Sequence, residues 1–186
     1  MLEQNKQPQF DVWPGGVQSR SGGVSVGLQT GVPIFLTFTY DAATGDQKVW
    51  ANGVLKSTKA NTPASLGTSP VALTIGKGGT TGTCPAGNGY TPGTYDDVRV
   101  YNRALSSSEI QALYNERTAT INSSKNGKMT NGLVGLWSFD GSDIQGSTAY
   151  DRSGSGNNGT LFSSPKPSIG KLGQALSFDG AATYIS

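Results

Sequence analysis

DDVRVYNRALSSSEIQALY, residues 96–114, joins a half-buried strand to a short capped helix. Val98 and Val100 alternate with Arg99 and Tyr101, the period-two pattern of a strand with one face on a core and the other nearer water. Ser106 followed three residues later by Glu109 is a capping box, in which hydroxyl and carboxylate each take the other residue's backbone N–H. Leu105 before the cap and Ile110 inside the helix can close as a hydrophobic staple. The spacing predicts a helix of about two to three turns beginning at Ser106. Ile110, Leu113 and Tyr114 form one apolar stripe, so this helix lies against something larger than itself. These residues read as structural rather than catalytic.

Outward from this segment the chain is a series of short apolar runs broken by turn residues. Strands are expected over 24–28, 34–40, 47–50, 54–57 and 71–75. DAATGDQ at 41–47 reads as a hairpin loop with its glycine at a positive φ, and Asn52-Gly53 is the strongest short turn signal present. Residues 76–93 are rich in Gly and Thr and lack periodicity, which predicts a long loop. Residues 118–131 have linker composition. From Leu133 to Phe139 both parities carry apolar residues, so a strand with neighbours on both sides is expected there.

The 186 residues suit one domain or two partial ones. Charged residues make up only 14%, while 27 glycines and 9 prolines punctuate the apolar runs, as expected of an all-β chain with many turns. The net charge of +2 is spread along the chain without a basic cluster, which gives no footprint for nucleic acid. The apolar stretch at 32–38 is far too short to span a bilayer. Cys84 is the single cysteine, so no disulfide forms within the chain, and no histidine is present to activate a thiol or serine or to ligate zinc.

The segment YDDVRVYNRALSSSEI, residues 95–110, closely resembles the terminal strand and helix of laminin G-like domains, in the concanavalin A-like lectin and glucanase group. FLTFTYDAATGDQKVWANGV at 35–54 resembles the central hairpin of that family. GLVGLWSFD at 132–140, DRSGSGNNGT at 151–160 and GKLGQALSFDGAATYI at 170–185 resemble its opening strands. The resemblance implies an all-β, antiparallel jelly-roll β-sandwich with one short helix. Its family motifs run in inverted order: residues 1–117 correspond to the C-terminal part of such a domain, 118–131 to a linker and 132–186 to the N-terminal part. A tandem array cut across two repeats, a circular permutant, or half-domains exchanged between molecules would each give this order, and unpaired sheet edges would favour the last.

Related glycoside hydrolases on this scaffold place paired acids along one strand. No Glu-x-Asp-x-x-Glu arrangement occurs here, Glu109 belongs to the capping box, and the adjacent Asp96 and Asp97 point to opposite faces of a strand. The chain is therefore expected not to be an enzyme. Many relatives bind calcium, and by position the resemblance implies Asp96, Asp97, Asp140 and Asp151 as candidate ligands, since hard cations take several oxygen ligands from acidic, glycine-rich loops. Beside it stands the plainer reading that these aspartates bond turn amides, which is the favoured one for Asp179. Trp13, Tyr90 and Tyr95 lie near loops and are the candidate ligand-binding aromatics, with simple packing as the alternative, whereas Trp50 and Trp137 read as core.

The resemblance thus implies an extracellular or cell-surface binding and adhesion module for a carbohydrate or a protein partner, with calcium ordering its loops. A structural subunit assembled by strand exchange is the alternative from another class. An accessory domain of a polysaccharide-degrading enzyme is the third.

Overall fold

The computed structural model describes residues 11–12, 19–20, 24–61, 64–66, 73–77, 89–116 and 129–186. Among them every ladder is antiparallel and there is a single α-helix, the secondary structure of the all-β class expected. The chain divides into two compact units, Met1–Thr68 with Arg103–Met129, and Ser69–Asn102 with Thr130–Ser186. These units cut across the blocks read from the sequence at 118–131.

In the first unit β1 (Asp11–Val12) pairs with β2 (Ser19–Arg20). A three-stranded meander follows: β3 (Leu36–Tyr40), β4 (Gln47–Ala51) and β5 (Val54–Lys59). Asn52 and Gly53 sit at φ 52° and 76°, the positive values that a two-residue hairpin turn requires. Phe35 N–H donates to Asn52 Oδ1 at 2.9 Å while Asn52 N–H donates to Phe35 O at 2.8 Å, so the turn side chain extends the pairing beyond the strand ends. One face of the sheet buries Val49 and Ala51 beneath Val24 and Val26, with Ile34 and Leu36 alongside. Residues 24–28 have the expected alternation, buried Val24 and Val26 against exposed Ser25 and Gly27, yet they form no ladder. The apolar period marked a covering segment whose backbone has no strand partner.

Helix α1 (Ser107–Glu116) starts as the sequence predicts, with Ser106 as its cap. Glu109 N–H donates to Ser106 Oγ at 3.3 Å and Ser106 N–H to Glu109 Oε2 at 2.8 Å, the reciprocal capping box. Arg103 grips the same carboxylate at 2.9 and 2.7 Å. That pairing, with the Ser106 bonds, draws the Glu109 carboxyl down to about 2. Leu105, Ile110 and Leu113 are buried, and Tyr114 stacks on Phe35 with centroids 6.1 Å apart. A Cβ on Gly53 would come within 2.8 Å of Gln111 Oε1, so the hairpin turn is held to glycine both by its φ and by the helix beside it.

The second unit contains β6 (Gly93–Tyr95), β7 (Val98–Tyr101), β8 (Leu133–Trp137), β9 (Ile144–Gln145), β10 (Thr148–Ala149), β11 (Gly159–Phe162), β12 (Lys166–Ile169), β13 (Gln174–Phe178) and β14 (Tyr184–Ile185). Its sheets run β14-β11-β10-β9, β12-β13-β6 and β7-β8. Tyr95 pairs with Leu176 and Val98 with Trp137, so the segment preceding the polar stretch 118–131 joins the segment following it within one molecule. Ile75, Trp137, Phe139, Ala149, Leu176, Phe178 and Ile185 form the core. Residues 71 and 72 lie outside the described residues, and Ile75 contributes a single bridge to Ile185 instead of a strand.

The stretch from Leu133 was expected to be a central strand, but β8 has a strand partner, β7, on one side only. On the other, Asp151 Oδ1 accepts the Leu136 N–H at 2.9 Å, Arg152 N–H donates to Leu136 O at 2.8 Å, and Asn157 Nδ2 donates to Val134 O at 2.7 Å. The loop DRSGSGNN thereby satisfies backbone groups that a neighbouring strand would otherwise pair.

Candidate functional site

The four candidate metal aspartates separate in space by what their oxygens accept. Asp151 Oδ1 takes the Leu136 and Ser153 amides at 2.9 and 2.7 Å, and Oδ2 takes the Ser153 hydroxyl and the Asn157 amide at 2.8 and 3.0 Å. Burial alone would raise its pKa, but the N–H donors of Ser153, Leu136 and Asn157 and the Ser153 hydroxyl together hold it below the ordinary carboxylate value. Every lone-pair direction of this carboxylate is engaged.

Asp96 and Asp140 meet at one place, the loop between β12 and β13. Asp96 Oδ2 accepts the Lys171 and Leu172 amides at 2.7 and 3.1 Å, while Asp140 Oδ1 accepts the Gln174 amide at 2.8 Å. Gly173 sits at φ +72°, and a Cβ there would collide with Asp140 Oδ1. Asp97 occupies the left-handed region at φ 52°. Among the described residues no group of three or more His, Cys, Asp or Glu side chains is placed to hold a metal ion. Asp151 spends its four acceptor bonds on its own loop and on β8, while Asp96 and Asp140 pin a hairpin tip. Asp179 follows the turn reading, its Oδ1 accepting the amides of Ala181, Ala182 and Thr183 at 2.8, 2.9 and 3.0 Å, which lowers its pKa.

The candidate aromatics also part. Tyr95 is half-buried and packs against the core cluster, edge-on to Phe178 with centroids 5.2 Å apart, and burial raises the pKa of its hydroxyl. Trp13 lies outside the described residues. Tyr90 joins a surface row that sequence reasoning did not assemble. Phe162 and Tyr184 are cross-strand partners on β11 and β14 and stack at 4.4 Å with their planes 2° apart. Tyr90 and Tyr184 are 6.1 Å apart, and the Lys77 ammonium lies 4.4 Å from the Tyr184 centroid and 5.4 Å from that of Tyr90. The bridges Ile75↔Ile185 and Lys77↔Tyr90 bring these separate stretches side by side. Phe162 is 38% exposed, which leaves an aromatic surface open to solvent. The sequence signal was present in the alternation of residues 159–162, where Leu161 turns inward and Phe162 outward, but only the pairing reveals the row.

The first unit holds a cleft of about 370 Å³ lined by Asp41, Asp46, Lys48, Trp50 and Leu55 from the meander and by residues 104–107 at the start of the helix. Thr39 completes the lining and is the cross-strand partner of Lys48, so both side chains emerge on one face of the sheet. Lys48 Nζ pairs with Asp46 at 3.0 Å.

Antiparallel sheets and one capped helix among the described residues define an all-β module. The laminin G-like family model of the concanavalin A-like lectin/glucanases superfamily matches residues 1–111, and the chain belongs to this superfamily. Its domains are commonly binding modules. No curated protein and no solved structure gives a significant match. No described helix is long and apolar enough to cross a membrane.

Proposed function

We propose that this chain is a non-catalytic, extracellular carbohydrate-binding module whose sugar-facing surface is the row Tyr90, Tyr184 and Phe162 with Lys77 at its side. The observation that carries this reading is the Phe162–Tyr184 stack with Phe162 38% exposed: the outer face of Phe162 can receive the C–H face of a pyranose, while the Lys77 ammonium over Tyr184 and the tyrosine hydroxyls supply hydrogen bonds at its side. No calcium is invoked in this reading, in which Asp96, Asp140 and Asp151 accept backbone amides.

Catalysis has less support, since Glu109 is held by Arg103 and the helix cap, while Asp143 is held by Arg152, Ser138 and Ser142. A protein partner at the aromatic row is the remaining alternative. A glycan array run with and without chelator tests the proposal. Phe162→Ala and Tyr90→Ala should each weaken the leading glycan by about tenfold, the scale of one lost aromatic contact of roughly 1–1.5 kcal/mol. Glycan binding unchanged in both variants, or no glycan bound, rejects it.

A further inference from the structure

We propose that the glycan taken by the aromatic row is an acidic one: an oligosaccharide containing uronic acid, with one sugar on Phe162 and the carboxylate of a neighbouring sugar at Lys77. This rests on the carbohydrate reading of the row and adds to it a charge and a minimum length.

The backbone that carries Lys77 is fixed before any ligand arrives. Ile75 and Ile185 exchange backbone bonds at 3.0 and 2.9 Å, Thr91 N–H donates to Gly76 O at 2.8 Å, and the Thr74 hydroxyl donates to Lys77 O at 2.7 Å. Gly76 sits at φ +82°, and a Cβ there would come within 2.6 Å of the Phe178 ring, so the core itself sets this turn. From that anchored stretch the ammonium lies over Tyr184 and Tyr90 at 4.4 and 5.4 Å. The ion pairs among the described residues join Lys48 to Asp46, Arg103 to Glu109 and Arg152 to Asp143, and Lys77 takes part in none of them. Its N–H groups donate to no oxygen among the described residues either. Two ring faces attract a cation but accept no strong hydrogen bond, so the donors and the charge of Lys77 are there for a ligand.

The order of the row sets the length of that ligand. Phe162 lies parallel to Tyr184 with centroids 4.4 Å apart and covers one face of that ring, which puts Lys77 over the other. A pyranose on the outer face of Phe162 therefore has both rings between itself and the ammonium. The group that meets Lys77 belongs to another sugar of the same chain, and a monosaccharide cannot use both ends. One ammonium matches one carboxylate. A densely sulfated chain would require several cations together, whereas the net charge of +2 is spread along the protein without a basic cluster. A neutral chain would leave Lys77 to water and gain only the stacking at Phe162.

Calorimetric titration of the full chain with hexamers of galacturonate, glucuronate and mannuronate, each beside its carboxyl-reduced counterpart, tests this. At least one acid hexamer should bind about tenfold more tightly than its reduced form, the scale of one charge-assisted hydrogen bond. The corresponding monomer should bind at least about tenfold more weakly than the hexamer, having lost one of the two contacts. Lys77→Gln should bring the acid hexamer down to the level of its reduced form, Lys77→Arg should keep the preference, and Phe162→Ala should weaken both forms alike. Reduced hexamers binding as tightly as the acids, a preference that survives Lys77→Gln, dextran sulfate bound more tightly than every uronate, or no saturable binding of any acid hexamer would overturn the assignment. If reduced or other neutral glycans still bind and lose affinity in Phe162→Ala, the carbohydrate reading of the row stands and only its acidic specificity falls.

Discussion

Two aspartate-centred loops, 41–46 in one unit and 151–158 in the other, contain similar residues and reach different outcomes. Asp151 accepts from four donors, among them the Leu136 N–H of the neighbouring strand, and so stands in for a missing strand. Asp41 accepts two amides of its own turn through one oxygen and keeps the other free beside a cleft. Both would be marked alike by a search for acidic residues in glycine-rich loops. Counting acceptors separates them: a saturated carboxylate belongs to the fold, and a half-used one beside a cavity has something left to offer a ligand.

The largest effect that could break this contrast is on stability. Asp151→Ala leaves the Leu136 amide and three further donors without their acceptor, and should cost about 3–4 kcal/mol in urea denaturation, against about 1 kcal/mol for Asp41→Ala. Equal costs would erase the distinction.

Acid sharpens it next. Arg152, aided by the Ser138 and Ser142 hydroxyls, draws the nearly buried Asp143 carboxyl down to about 2, and Arg103 does the same for Glu109 in the other unit. Both folded values lie below the unfolded ones, so the stabilisation is complete above the ordinary carboxylate range and fades as pH falls toward about 2. Tm should be lower by roughly 5–10 °C at pH 2.5 than at pH 6, and Asp143→Asn should flatten that slope. A Tm independent of pH over this interval would contradict the assignment.

A smaller effect concerns the hairpin tip at 170–174. Asp96→Ala and Asp140→Ala should each cost about 1–2 kcal/mol, with a coupling of roughly 0.5–1 kcal/mol in the double-mutant cycle because they hold one loop. Strict additivity would mean that the two clamps act separately. The smallest effect expected is none: a calcium chelator should leave Tm where it was, whereas a marked fall would restore a cation to these loops.

What could be read from the chain divides along local and distant contacts. The capping box and the Asn52-Gly53 turn depend on neighbours a few residues away, and each lies where its pattern placed it, with Leu105 and Ile110 both buried beside the cap. Residues 24–28 show the limit, since alternation revealed the buried faces of Val24 and Val26 but could not supply a ladder partner. Tyr90 and Tyr95 look alike in sequence, both beside loops. Distant Phe178 draws Tyr95 against the core, and distant Tyr184 draws Tyr90 into a surface row. The same holds for Asp96 and Asp140, which bond a loop 75 and 34 residues further on. Trp13 and Cys84 lie outside the described residues.

The pairing of Tyr95 with Leu176 has a consequence for how the molecule is made. A ribosome adding about 5–20 residues per second needs roughly 4–16 seconds to travel between those two positions. Throughout that delay the emerging strands at 93–101 present unsatisfied amides and carbonyls to whatever is nearby, since their partners have yet to be synthesised. Birth of this unit therefore sets translation speed against unwanted association at the waiting edge.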